Sequence, residues 1–246
     1  MGRWVRDYPL MLKWQMLSNT PRLVLMFIVE ALIAVGYVIG FGYIIPNITT
    51  QSAMYLITGA PVLILLMVGL VLVPQVVAMA RKEGTFEYLW SLPVPRSCFM
   101  AADATVWTAI TLPGVILALV VGSWHYHFAL HVSPMVVPTF LLVTLTGIFI
   151  GYAVAHSVPK PEIAGVISQV LVFVILIFSP IYYPIEQLPN WLASIHRVLP
   201  FYYMANLMRG YLTGKTPASV GLAFAVVGAW CAAALIVAFV AIRRRG

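Results

Sequence analysis

Six long apolar runs dominate the chain: Leu23–Ile45, Ala53–Ala78, Ala101–Gly122, Met135–Ala155, Ile163–Tyr183 and Val220–Ile242, each of at least twenty-one residues. A helix rises 1.5 Å per residue, so about 20 residues cross a hydrocarbon core of about 30 Å. A segment inside lipid has no water for its amides and must close its own hydrogen bonds, so each run is expected to be helical. The expected fold is an all-α polytopic membrane protein with six transmembrane helices in one domain spanning 1–246. The runs leave only short polar pieces in which to look for function.

Composition and charge placement sharpen this. Charged residues make up 9% of the chain, against about 25% in soluble domains, so no sizeable water-soluble domain fits between the runs. The net charge of +7 invites a nucleic-acid reading, but the basic residues gather at one set of run ends. With the N-terminus inside, eleven face the cytoplasm: Arg3, Arg6, Lys13, Arg22, Arg81, Lys82, Arg96, Lys160 and Arg243 to Arg245. Three face out: Arg197, Arg209 and Lys215. The positive-inside rule then places both termini in the cytoplasm of a cell-membrane protein in contact with lipid, not nucleic acid. The first apolar run is too long for a cleavable leader, so none is expected.

Residues 3–18 read as an interfacial helix, with Leu10, Met11, Trp14 and Leu17 on one face and Pro9 in its first turn. Asn19-Thr20-Pro21 then supplies a cap and an N-terminal proline for the first span. Cys98 falls in a loop and Cys231 in the last span, so a disulfide between them is not expected. Asp103 and Glu162 are expected in first turns, favoured by the helix dipole.

Two segments are longer than a simple connection requires. The inner one contains Arg81-Lys82-Glu83-Gly84-Thr85-Phe86-Glu87-Tyr88-Leu89-Trp90-Ser91. Glu83, Phe86, Glu87 and Trp90 share one side of a short helix ended by Pro93 and Pro95. Like charges four residues apart, beside apolar Phe86, Leu89 and Trp90, suit docking into another protein's groove. The alternative is a solvated loop whose aromatics dip into the bilayer.

The outer segment follows the fifth run. Proline at 180, 184 and 189 breaks the helix. Trp191, Leu192, Ile195, Val198 and Leu199 form an apolar stripe, and 201–212 can form a second helix. A re-entrant hairpin with its aromatics at the headgroups is expected, acting either as an aromatic belt or as a lid on a translocation path.

Basic-basic-Glu-Gly-Thr-Phe-Glu-Tyr-Leu-x-Ser-x-Pro resembles the cytoplasmic loop of type-two ATP-binding-cassette (ABC) exporter permeases. The chain keeps Glu83, Gly84, Thr85, Glu87, Leu89, Ser91 and Pro93 of that pattern. Pro-Ile-Glu-Gln-Leu-Pro-x-Trp-Leu, followed by Leu-Pro-Phe and Asn-Leu-x-Arg, is similar to the same family's outer re-entrant region. The resemblance implies a coupling helix seated on an ATPase subunit, with Arg81, Lys82, Glu83, Gly84, Thr85, Phe86, Glu87, Leu89 and Trp90 as docking candidates. It implies an outer gate drawn from Tyr182, Tyr183, Pro184, Glu186, Trp191, Phe201 and Tyr202. It also implies two ABC ATPase subunits and a second permease, identical or related, with ATP and magnesium held by the ATPases and no cofactor or catalytic site in this chain. Gly36-x-x-x-Gly40 would pack at the permease dimer, and Gly147-x-x-x-Gly151 is a second close-approach motif.

Glu30 lies about 12 Å into the first span, eight residues past Arg22. An intramembrane carboxylate is costly and faces the bundle interior, as a structural partner or on a substrate path. The only other deep polar groups expected are Gln75 and Gln169. His125, His127 and His131 crowd one outer loop but fall short of a metal site with its supporting shell. Gly214-Lys215-Thr216 lacks the earlier glycine of a phosphate loop, because position 209 is Arg. The expected cargo is hydrophobic or amphipathic, drug-like or lipid-like, with a polysaccharide or lipid-linked glycan as the alternative. A proton-coupled secondary transporter using Glu30 predicts inverted repeats, and a lipid-modifying enzyme predicts clustered titratable groups; neither pattern is visible.

Overall fold

The computed structural model describes residues 2–44, 48–91, 93–158, 160–215 and 219–244. Among them every regular element is helical: α1 (Gly2–Val35), α2 (Phe41–Ile44), α3 (Thr50–Met67), α4 (Val73–Lys82), α5 (Thr85–Ser91), α6 (Arg96–His125), α7 (Val136–Ser157), α8 (Pro161–Phe178), α9 (Asn190–His196), α10 (Pro200–Thr213) and α11 (Val220–Arg244). π-helical turns at Gly36–Gly40 and Val68–Leu72 join α1 to α2 and α3 to α4, and a 3₁₀ turn covers Ile185–Gln187.

Among the described residues five helices are long and apolar enough to cross a membrane: Leu25–Ile44, Thr50–Lys82, Arg96–His125, Val136–Ser157 and Val220–Ile242. The fifth apolar run departs from expectation. Its helix, α8, ends at Phe178, because Ser179 precedes Pro180 and is extended, with φ −83° and ψ 134°. The chain stays inside the bundle after this break. Ile181 is fully buried and lies over Gly59 of α3, where a Cβ would come within 3.0 Å of the Ile181 carbonyl oxygen.

Three further boundaries differ. The N-terminal segment is not a separate interfacial helix capped before the first span, since α1 runs unbroken past Asn19-Thr20-Pro21 with Pro9 inside it. Asn19 Nδ2 donates to the Gln15 carbonyl at 2.8 Å and Thr20 Oγ1 to that of Met16. Both polar side chains thus serve their own helix just before the proline instead of ending it. The third span starts at Arg96, so Cys98 lies in α6 rather than a loop, and Asp103 lies beyond its first turn. Glu162 does sit in the first turn of α8. Arg209, counted among the outer loop charges, is buried in α10.

The unit α3–α4 is the axis of the bundle: 83% of its apolar eighteen-residue stretch is buried, against 28% for that of the first span and 22% for that of the last. α6 packs on α1 and α3, α11 on α7, and α10 on α3, α7 and α11. Lipid tails are as apolar as leucine, so such helices associate through close packing rather than water exclusion. The tightest crossing is between Gly69, in the second π turn, and Gly147 and Gly151 of α7. A Cβ on Gly69 would come within 2.4 Å of the Gly147 carbonyl carbon, and one on Gly151 within 1.9 Å of the Gly69 oxygen. The widened turn includes the Val73 amide donating to Val68. It precedes Pro74, whose ring would crowd a regular helix. Gly36 and Gly40 face open space within the chain.

Candidate functional site

The connection between α4 and α6 is built by a helix stop. The Glu83 amide donates to Met79 at 3.0 Å and the Gly84 amide to Arg81 at 3.4 Å. Gly84 then takes φ +71°, a left-handed conformation that a Cβ penalises. α5 starts at Thr85. Glu83 and Gly84 therefore form the turn and do not share a helical side with residues 86–90, because the left-handed residue interrupts the helical repeat. Leu89, expected in the exposed apolar group, is 7% exposed and anchors α5 to the bundle. Glu83 and Tyr88 are exposed, and Thr85 is half-buried. The side chains of Phe86, Glu87 and Trp90 lie outside the described residues.

The two basic docking candidates are already engaged within the chain. Arg81 Nη1 donates to the carbonyls of Ala155 at 2.7 Å and Val158 at 3.1 Å, tying the end of α4 to the end of α7. These are carbonyls that a helix C-terminus leaves unpaired, and a guanidinium suits them. Lys82 Nζ lies 3.9 Å from Glu162 Oε1, both well exposed, which makes this a weak surface pair. At the same end Arg96 Nη1 reaches the Ile242 carbonyl at 3.3 Å.

The residues expected to form an outer gate divide at the Thr50 end. Tyr182, Tyr183 and Pro184 join Phe41, Gln51 and Tyr55 around a cavity of about 500 Å³. Tyr182 packs on Tyr37 and Phe41 with ring centroids 5.6 and 5.5 Å apart. The others are elsewhere. Phe201 is buried in the core, Glu186 is exposed and Trp191 is 65% exposed. Tyr202 packs against Tyr203, whose hydroxyl donates to the Arg197 carbonyl at 2.9 Å. The hairpin is asymmetric: α10 is buried along its length, whereas Trp191, Ile195 and Val198 of the expected stripe face outward. Ala193 and His196 instead turn α9 inward. Burial holds His196 below its ordinary pKa of 6.5, opposed by a hydrogen bond with the Phe178 backbone.

Glu30, Asp103 and Arg209 are three of the ionisable residues buried among the described residues. Glu30 is 1% exposed. Its carboxyl lies against α6, where a Cβ on Gly114 would be 2.8 Å from Oε2, and neither oxygen makes a hydrogen bond with the described residues. Gln75 and Gln169, the other deep polar candidates, face outward. Asp103 is a buried acceptor, not a helix-terminus charge: Trp107 Nε1 donates to Oδ2 at 3.1 Å, and Tyr152 donates its hydroxyl to the same oxygen.

Arg209 is the third and was not among the expected site residues. It is 7% exposed. Nε donates to Thr58 at 3.2 Å, Nη1 to Asn206 at 2.8 Å and Nη2 to the Ile181 carbonyl at 2.5 Å, and the guanidinium lies 3.8 Å over the Tyr55 ring. Its sequence signal was helical spacing: Met204, Ala205, Met208 and Leu212 share its buried surroundings. An arginine within such a stripe points inward.

These features make a helical membrane bundle with a glycine-stopped turn at its basic end and an aromatic cavity at the opposite end. No curated protein matches the chain. A sequence model of the family described as ABC-2 type transporter matches residues 10–213, which include the turn, the aromatic cavity and the re-entrant hairpin. The chain thus belongs to the ABC-2 type transporter family and is a membrane-spanning permease of the kind that works with an ABC ATPase.

Proposed function

We propose that this permease exports a hydrophobic or amphipathic molecule from the cytoplasm or the inner leaflet, driven by ATP hydrolysis in separate subunits. Two ATPases, holding ATP and magnesium, dock at the turn formed by Glu83 and Gly84 and at α5. A second permease, identical or related, completes the path, and this chain performs no bond chemistry. The protein resides in the cell membrane with both termini in the cytoplasm. The observation that carries the reading is the turn itself: Glu83 is exposed beside a left-handed Gly84, while Leu89 and Arg81 fasten its two sides to the bundle. A push on the turn is therefore delivered to α4 and α7, and rearrangement of packed helices is a standard way to switch between states.

The test is the double substitution Glu83→Arg and Glu87→Arg. The expected result is loss of ATPase co-purification with membrane insertion preserved. Normal retention of the ATPase by the inserted double variant contradicts the docking assignment.

A glycan cargo is the second reading, favoured by the cavity at the Thr50 end. Phe41, Tyr55, Tyr182 and Tyr183 there accompany Thr49, Gln51, Ser52 and Gln187. Aromatic faces beside amide and hydroxyl groups suit sugar rings, whose C–H faces stack on aromatics and whose hydroxyls need partners. Transport assays with a lipophilic dye and with a lipid-linked oligosaccharide separate the two cargoes.

A further inference from the structure

At the basic end, α1, α4, α6 and α7 enclose a second cavity of about 300 Å³ whose wall includes the turn after α4. Asp103 lines it and is 7% exposed. Both of its donors among the described residues, Trp107 Nε1 and the Tyr152 hydroxyl, go to Oδ2 and not to Oδ1. Two donors on one oxygen favour a carboxylate that accepts hydrogen bonds. A buried carboxylate is nevertheless costly without a positive partner. No lysine or arginine lines the cavity among the described residues; the ionisable side chains there are Asp103, Glu83 and Tyr152.

The remaining wall is equally selective. Trp14 and Trp107 present indoles, the aromatic groups that attract cations most strongly. Gln15 is buried and brings a side-chain amide to the wall. Val76, Val77 and Phe99 supply apolar surface. A buried carboxylate with indole faces and an apolar wall complements a positively charged head carrying a hydrocarbon body.

We propose that this cavity binds the head of an amphiphilic organic cation, a protonated amine or a quaternary onium, with Asp103 as counter-ion and Trp14 and Trp107 as the aromatic walls. The inference rests on the export reading and narrows its cargo class. Because Glu83, Thr85 and Leu89 also line the cavity, the bound head lies directly against the segment assigned to ATPase docking.

The test uses the full-length chain in phosphatidylcholine nanodiscs, without ATPase or ATP, and radiolabelled tetraphenylphosphonium as the probe. Tetraphenylborate, similar in size and opposite in charge, is the competitor. The expected result is one saturable site per chain that tetraphenylborate does not compete for. Asp103→Asn, which keeps a carbonyl for Tyr152 and Trp107, lowers affinity at least tenfold. Trp14→Ala, which leaves the Asp103 hydrogen bonds untouched, lowers it several-fold and carries the test if the Asn variant does not fold. Unchanged binding in a monodisperse variant overturns the proposal, as does equal competition by tetraphenylborate. Failure of this assay with ATPase docking intact sinks only the cation site; loss of the docking assignment with binding intact sinks only the export mechanism.

Discussion

Arg209 Nη2 lies 2.5 Å from the carbonyl oxygen of Ile181, twenty-eight residues earlier in the chain. That bond joins the buried helix of the re-entrant hairpin to the segment just after the break in the fifth apolar run. Pro180 leaves local backbone without a helical partner, and a guanidinium fork fills the gap while also bonding Thr58 and Asn206.

Arg209→Met leaves the Ile181 carbonyl buried without this donor, at a cost of about 1–3 kcal/mol. Arg209→Lys is expected to be at least as damaging. A single ammonium lacks the planar fork that reaches three acceptors at once, yet still places a charge in the interior. Thermal unfolding of the purified variants in detergent checks this: both midpoints fall, and the lysine variant does not recover the wild-type value.

The glycine pairs separate by what faces them. Gly69→Ala and Gly151→Ala drive a methyl group into backbone of the opposing helix and are expected to cost roughly 1–3 kcal/mol or more each. Folded yield and thermal stability report it. Gly36→Ala and Gly40→Ala meet nothing within 4 Å and leave the subunit's stability near wild type. If these glycines pack against the proposed second permease, the same two substitutions weaken cross-linking between subunits without lowering folded yield.

Gly84 sits at φ +71°, where an L-residue with a Cβ costs about 1–2 kcal/mol. Gly84→Val is expected to unwind the turn, exposing residues 83–91 to protease and reducing ATPase co-purification. Gly84→Asn, which tolerates this conformation, keeps most of both. Equal protease resistance in the valine variant counts against a strained turn.

His196 titrates below its ordinary value of 6.5 because burial disfavours its charged form. The unfolded chain therefore takes up a proton first as pH falls. Stability is full above about pH 6.5 and is lost as pH drops from there through the lowered folded-state value. Unfolding midpoints at pH 7.5 and 5.5 measure the loss, and His196→Gln is expected to shrink the gap between them.

How much was legible in the chain depends on the range of the forces involved. The apolar runs require only a local comparison of side-chain transfer energy with bilayer thickness, so their identity and helical character were readable, as was the two-helix form of the segment after residue 189. Hydropathy alone extends the fifth run to Tyr183, whereas its helix ends at Phe178, the stop that Pro180 signals in the sequence. Glu83 was wrongly placed on a helical side with residues 86–90, although Gly84 is a readable stop signal. Sequence position suggests a helix-terminus charge for Asp103, whereas Trp107, one turn away, and Tyr152, distant in the chain, hold it as a buried acceptor.

Residue type and spacing alone settled that this is a bundle of apolar helices with a basic end, since lipid solvation and backbone hydrogen bonding act on each segment separately. Only the three-dimensional packing could decide that Arg209 is a buried clasp, that Gly69 meets Gly147 and Gly151, and that Asp103 opens onto a cavity walled by the turn. Those outcomes depend on which helices become neighbours, and neighbours are chosen by side-chain shape and polar pairing between residues far apart in the chain.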